Sequence, residues 1–168
     1  MNRQSILGSL VSVLLAVSPV LSVVAFGPDS NHIYMEKPPR RVEKTEADWK
    51  KILTPAQFAV TRKQGTERPY SSPLANNHEH GIYRCVCCHE PLFSSDTKFE
   101  SGTGWPSFYA PLRKSVIKDL SDASHGMLRT EVQCAVCDAH LGHVFDDGPA
   151  PTGLRYCMNG VALEFVKK

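Results

Sequence analysis

A mainly antiparallel β domain, opened by two short helices, is the fold class the sequence predicts. Three observations predict it. Beyond Gly65 the apolar residues come in short runs, rich in aromatic and β-branched types and cut by Gly, Pro, Ser and Asp. Before Gly65 stand two helix starts with hydroxyl caps. Two C-x-x-C pairs, Cys85/Cys88 and Cys134/Cys137, follow similar segments, Ile82-Tyr83-Arg84 and Glu131-Val132-Gln133. Such pairs at tight turns can bring four thiolates to one tetrahedral ion.

The chain opens with Met1-Asn2-Arg3 and then carries no charge from Ile6 to Phe26. Val23-Val24-Ala25 offers a small residue at a cleavage point. Residues 1–25 are therefore expected to be a secretory signal peptide or, less readily given Pro19 and the serines, an uncleaved membrane anchor. Either form implies export, to a periplasm or beyond the cell, in preference to the cytoplasm. Residues 26–42, with Gly27, Pro28, Pro38, Pro39, Arg40 and Arg41, are expected to be a linker. Residues 43–168 form the expected domain, long enough to bury about two-thirds of its unfolded surface. The net charge is only +2 and no basic block alternates with aromatics, so nucleic acid is not an expected partner.

Thr45-Glu46-Ala47-Asp48 starts the first helix, with Trp49, Ile52 and Leu53 as its apolar side. Thr54-Pro55-Ala56-Gln57 starts the second: Thr54 as cap, Pro55 at the first helical position and Gln57 closing a capping box. It carries Phe58 and Val60 and stops at Gly65. Leu112–Ile117, Met127–Val132 and Val161–Val166 are expected strands.

The duplicated C-x-x-C favours a structural zinc bound by Cys85, Cys88, Cys134 and Cys137. The stretch between the pairs is longer than in a compact zinc ribbon, so the ion would join two distant hairpins. A redox dithiol, disulfides in an exported chain, or a ligand supplied by Cys87 or His89 are the alternatives.

With those four cysteines assigned, Cys87 and Cys157 remain. Gly153-Leu154-Arg155-Tyr156-Cys157-Met158-Asn159-Gly160 reads as a strand with Arg155, Cys157 and Asn159 on one face and Tyr156 and Met158 on the other. A guanidinium beside a thiol favours the thiolate. A core cysteine is the competing reading. Ser101-Gly102-Thr103-Gly104-Trp105-Pro106-Ser107-Phe108 puts Trp105 and Phe108 in a constrained loop, suited to a pocket wall or to core anchoring. His140 and His143 follow the second knuckle and suit acid–base roles near Cys157.

The double C-x-x-C, S-G-T-G-W-P-S-F, H-L-G-H-V-F and R-Y-C-M-N, in this order, resemble the B-type methionine sulfoxide reductases, the SelR domain family. The match covers nearly all of residues 43–168. It implies two antiparallel sheets in a β-tent, one bound Zn2+, and repair of oxidised proteins by reduction of the R epimer of methionine sulfoxide. By motif match, Cys157 takes the place of the nucleophile and His143 that of the acid, helped by His140 and Asn159. Trp105 lines the cradle for the S-methyl group, and Arg155 favours the thiolate.

Many family members hold a resolving cysteine where this chain has Thr103. Direct attack on the sulfenic acid by a thioredoxin-like or other thiol is therefore expected, with Cys87 as the alternative resolver. A monomer is expected. A non-enzymatic zinc-ribbon module and a disulfide-stapled binding protein are the rivals; neither accounts for the face shared by Arg155, Cys157 and Asn159.

Overall fold

The computed structural model describes residues 41–168. The expected leader at 1–25 and nearly all of the expected linker lie outside the described residues. Arg41 and Val42 already touch the domain: Val42 N–H donates to the Val136 carbonyl at 2.8 Å, and Arg41 pairs with Asp138 and Glu43. Among the described residues, no helix is long and apolar enough to cross a membrane.

The helices form where their caps dictate. In α1 (Glu46–Ile52), the Thr45 hydroxyl accepts from the Asp48 N–H at 3.2 Å. In α2 (Pro55–Lys63), Thr54 and Gln57 close a reciprocal box: Thr54 N–H to Gln57 Oε1 at 2.9 Å, and Gln57 N–H to Thr54 Oγ1 at 3.2 Å. Gln64 then turns left-handed, at φ 55°, and Gly65 follows. Trp49, Leu53, Phe58 and Val60 bury the inner sides of both helices.

Nine strands make two antiparallel sheets among the described residues. The smaller has the order β2 (Pro91–Ser94), β1 (Gly81–Cys85), β9 (Leu163–Lys167). The larger runs β3 (Lys98–Phe99), β4 (Ser107–Phe108), β8 (Arg155–Met158), β7 (His140–Phe145), β6 (Arg129–Cys134), β5 (Ile117–Asp122). The core lies between them. Tyr83 and Phe93 of the smaller sheet meet Phe108 and Tyr156 of the larger. Phe93 stacks on Phe108 at 4.5 Å, and Tyr83 meets Phe108 edge-on at 4.9 Å.

Three expected strands are displaced. Lys114–Val116 is a 3-10 turn and the strand begins at Ile117, because Val116, fully buried, anchors the turn into the core. The run expected at Met127–Val132 pairs instead over Arg129–Cys134; Met127 and Leu128 are exposed. Gly160–Ala162 is likewise a 3-10 turn before β9, held by Glu67, whose carboxylate accepts from the Gly160 and Val161 N–H groups at 2.5 and 2.9 Å.

Candidate functional site

Each C-x-x-C closes a knuckle of the same design. The His89 N–H donates to the Cys85 carbonyl at 2.8 Å and the Asp138 N–H to the Cys134 carbonyl at 2.9 Å. His89 and Asp138 both turn left-handed, at φ 61° and 55°. Cys85 ends β1 and Cys134 ends β6, so the knuckles bring the two sheets together. The sulfurs of Cys85, Cys88, Cys134 and Cys137 all lie within 4.8 Å of one another and are buried. Cys85–Cys137 and Cys88–Cys134 are 3.7 and 3.6 Å apart. A tetrahedron of thiolates at about 2.3 Å from a central ion has edges of about 3.8 Å. The set fits one tetrahedral metal ion. Arg62 fastens the second knuckle from α2, donating to the carbonyls of Cys137 and Asp138 at 2.9–3.0 Å.

Cys157 lies elsewhere. On β8, Tyr156 and Met158 point into the core and are fully buried, while Arg155 and Cys157 face the other way and are partly exposed. Register sets the neighbours of Cys157: Ser107 on β4 and His143 on β7 stand directly opposite it, and Glu131 on β6 is opposite His143. Directly opposed residues share a face. One polar row thus crosses four strands: Ser107, Cys157, His143, Glu131.

A bulge brings His140 to the same row. Residues three apart on a regular strand face opposite ways. Here Val132 pairs with Gly142 and Gln133 with His140, leaving Leu141 as an extra residue. The strand is re-phased, and the two imidazoles meet edge-to-face at 5.5 Å. Gly142 is required at the bulge, since a Cβ there would lie 2.1 Å from the Cys157 carbonyl oxygen.

A cleft of about 120 Å³ opens over the row, lined by Thr66, Trp105, His143, Phe145, Cys157 and Asn159. The Trp105 indole N–H donates to the Glu67 carbonyl at 3.3 Å. Asn159 is almost fully buried: its Oδ1 accepts from the Glu67 N–H at 3.0 Å, and its Nδ2 donates to the Leu141 carbonyl at 3.1 Å. That leaves one of its two amide hydrogens for a ligand.

Phe108, expected at the substrate wall, is a core residue. Strand alternation gives the reason: Ser107 shares the face of Cys157, directly opposite it, so Phe108, next on β4, must face inward, onto Phe93 and Tyr83. Ser107 takes the place beside Cys157. Its hydroxyl is 2.7 Å from that of Ser101, which is 2.8 Å from that of Thr103, and Thr103 Oγ1 is 3.9 Å from Cys157 Sγ.

Arg155 is gripped by Asp147 through two bonds, of 2.8 and 2.9 Å, and lies over the Phe145 ring at 4.4 Å. Its pull on Cys157 is in the expected direction, but it does not decide the outcome. Burial pushes the Cys157 thiol above its ordinary range, outweighing the lowering by the Thr103 hydroxyl, then Arg155 and Ser107. The thiolate therefore needs a proton acceptor close by. Burial also lowers His143, against the opposing hold of Asp122 on its Nε2 at 2.8 Å. Asp122 is held far below the usual carboxylate range, first by the Ser124 hydroxyl and N–H and then by His143.

Glu67, Ser107, Asp122 and Glu131 were not singled out by sequence. Only Ser107 left a legible signal, its parity with Trp105. The other three act through long-range pairing that spacing does not encode.

Four buried cysteines that could hold one metal ion between two sheets stand apart from a free thiol that faces an imidazole across a small cleft. The SelR domain model matches residues 53–167. Among curated relatives, the peptide methionine sulfoxide reductase MsrB of Pseudomonas savastanoi pv. phaseolicola (strain 1448A / Race 6) is 59% identical over 128 residues, 76% of this chain and 98% of the relative. The protein of the same name from Agrobacterium fabrum (strain C58 / ATCC 33970) is 54% identical over 125 residues, 74% of this chain and 93% of the relative. The chain belongs to the SelR domain family.

Proposed function

We propose that this chain reduces the R epimer of methionine sulfoxide in peptides and proteins to methionine, with Cys157 as nucleophile. The observation that carries the reading is the cross-strand row that sets Cys157 against His143 beneath Trp105. The names of its relatives support the substrate class.

A sulfoxide sulfur is a poor electrophile until its oxygen gains a proton. His143 takes the Cys157 proton and delivers it to that oxygen. The Cys157 sulfur attacks; the substrate S–O bond breaks as the oxygen passes to Cys157, which is oxidised to a sulfenic acid while the substrate leaves as a thioether. The other epimer would turn its oxygen onto Trp105, where an unpaired oxygen costs about 1–3 kcal/mol.

Thr103 occupies the nearest loop position to Cys157, and its hydroxyl cannot form a disulfide. Cys87 packs in the first knuckle, beside Cys137 and Cys85. A thioredoxin-like external thiol therefore attacks the sulfenic acid, releasing water and leaving a mixed disulfide that a second thiol resolves. The knuckle ion is zinc, which supplies folding free energy and no chemistry at Cys157. We further read the protein as a monomer exported on residues 1–25, signal peptide or anchor, and so recycled by a reductant outside the cytoplasm.

Incubation with resolved epimers and dithiothreitol, zinc being quantified on the same sample, tests the reading. Methionine should form from the R epimer alone. Formation from neither epimer rejects the function. After one turnover without reductant, dimedone should label Cys157; a Cys87–Cys157 disulfide in the mass spectrum would overturn the recycling route.

A further inference from the structure

Glu131 and His140 form a carboxylate–imidazole pair whose part in the reaction the steps above leave open. Both are buried, at 6% and 3% exposed. Glu131 Oε1 lies 2.6 Å from His140 Nδ1 and also accepts from Gln133 Nε2 at 3.1 Å. His140 Nε2 is buried without a partner among the described residues. A buried polar atom left unpaired is costly, and a fold keeps one where it has a use. The ring borders a polar pocket of about 280 Å³, which shares Thr66, Arg129 and His143 with the Cys157 cleft.

A carboxylate on Nδ1 fixes the imidazole in its Nδ1–H form and leaves Nε2 as the atom that gains or loses a proton. We propose that Glu131 is a positioning residue for proton transfer: it holds His140 so that Nε2 carries protons between the polar pocket and His143. The proposal rests on the reductase reading. In that cycle the sulfoxide oxygen takes one proton on reaching Cys157 and a second on leaving as water, so His143 must be recharged between the two. The second proton originates with the reductant thiol, which keeps the cycle balanced: one sulfoxide and two thiols give one thioether, one disulfide and one water.

The charged and titratable groups around His140 are Glu131 and Arg129 from β6, Asp122 at the end of β5 and His143 on its own strand. Among the described residues, only Glu131 bonds to the His140 ring. Arg129 is engaged with Asp122 at 2.7 Å, and Asp122 with His143.

Steady-state rates on an R-sulfoxide peptide with excess dithiothreitol between pH 5 and 9, for the wild type, Glu131→Gln and Glu131→Asp, test this. Glu131→Gln should keep its metal and its KM within about twofold. It should lose about tenfold or more in rate, with the high-pH limb moved about one unit or more toward lower pH. Glu131→Asp should recover much of both. A Gln variant that matches the wild type, or one that slows equally at every pH with the limb unmoved, overturns the proposal. Should the Gln variant fail to fold, nitrogen-15 NMR of wild-type His140 decides: a proton on Nε2 with Nδ1 bare throughout the range overturns it. A wild type inert toward both epimers rejects the reductase reading instead.

Discussion

The knuckle sulfurs and the Cys157 sulfur belong to one residue type and meet opposite surroundings. The four knuckle sulfurs are buried together, two of them at strand ends, with the nearest pairs 3.6–3.7 Å apart, and Arg62 of α2 holds the second knuckle by its carbonyls. Cys157 sits mid-strand, partly exposed, with hydroxyls, an imidazole and a guanidinium around it and no second sulfur bonded to it. The knuckles are built from local backbone geometry, repeated at two places in the chain. The Cys157 site is built from register across four strands. A local design gathers four sulfurs; a long-range one sets a single sulfur against an imidazole.

Exchanging one sulfur in each region should separate the two roles most sharply. Structural zinc in finger peptides contributes about 10–16 kcal/mol, as much as the whole stability of a typical domain. Cys134→Ser, or prolonged chelation, should therefore leave the domain unfolded by circular dichroism. Cys157→Ser should keep its metal and melt within a few degrees of the wild type, while turnover falls to background. A folded, metal-free Cys134→Ser protein would break the comparison on one side; a Cys157→Ser protein with wild-type activity would break it on the other.

Trp105→Ala sharpens the comparison within the cleft. Its ring borders Cys157 and is remote from the knuckles, so the metal should stay and the preference for the R epimer should shrink by about 10–100-fold. An unchanged preference would remove Trp105 from the epimer-selecting wall. Gly142→Ala acts more modestly. The added methyl would meet the Cys157 carbonyl and press β7 away from β8, costing about 1–3 kcal/mol and part of the rate. Urea unfolding with the metal bound measures the first effect; equal stability would show that the bulge tolerates a side chain.

The same contrast governs what the sequence made legible. Both helix caps, both knuckles and the faces of Arg155, Tyr156, Cys157 and Met158 follow from spacing within a few residues, where local hydrogen bonds and strand alternation decide. The misplaced strand ends and Phe108 followed where a 3-10 turn or a two-residue strand was too short to show its period. Glu67, Asp122 and Glu131 could not be found that way. Glu67 reaches Asn159 across 92 positions, and Glu131 reaches His140 only through a bulged register. The resemblance to a family supplied roles for the histidines; it did not supply the residues that hold them.

The smallest effect concerns the charge on Cys157. Burial raises the thiol above its usual range, so alkylation by iodoacetamide, read on the Cys157 peptide by mass spectrometry, should still be climbing at a pH where an ordinary thiol has levelled off. The sign follows from the thiolate being the reactive form, its fraction growing with pH up to the raised value. Arg155 pulls that value down, so Arg155→Met should move the curve further up and slow alkylation near neutral pH by about threefold to tenfold. Thr103→Val, which removes another of the lowering influences, should slow it too. With the proposed metal bound, the knuckle sulfurs should stay unlabelled in both variants. An Arg155→Met protein alkylated as fast as the wild type would reduce Arg155 to an anchor for Asp147 and Phe145. The thiolate would then depend on Thr103, Ser107 and the facing His143.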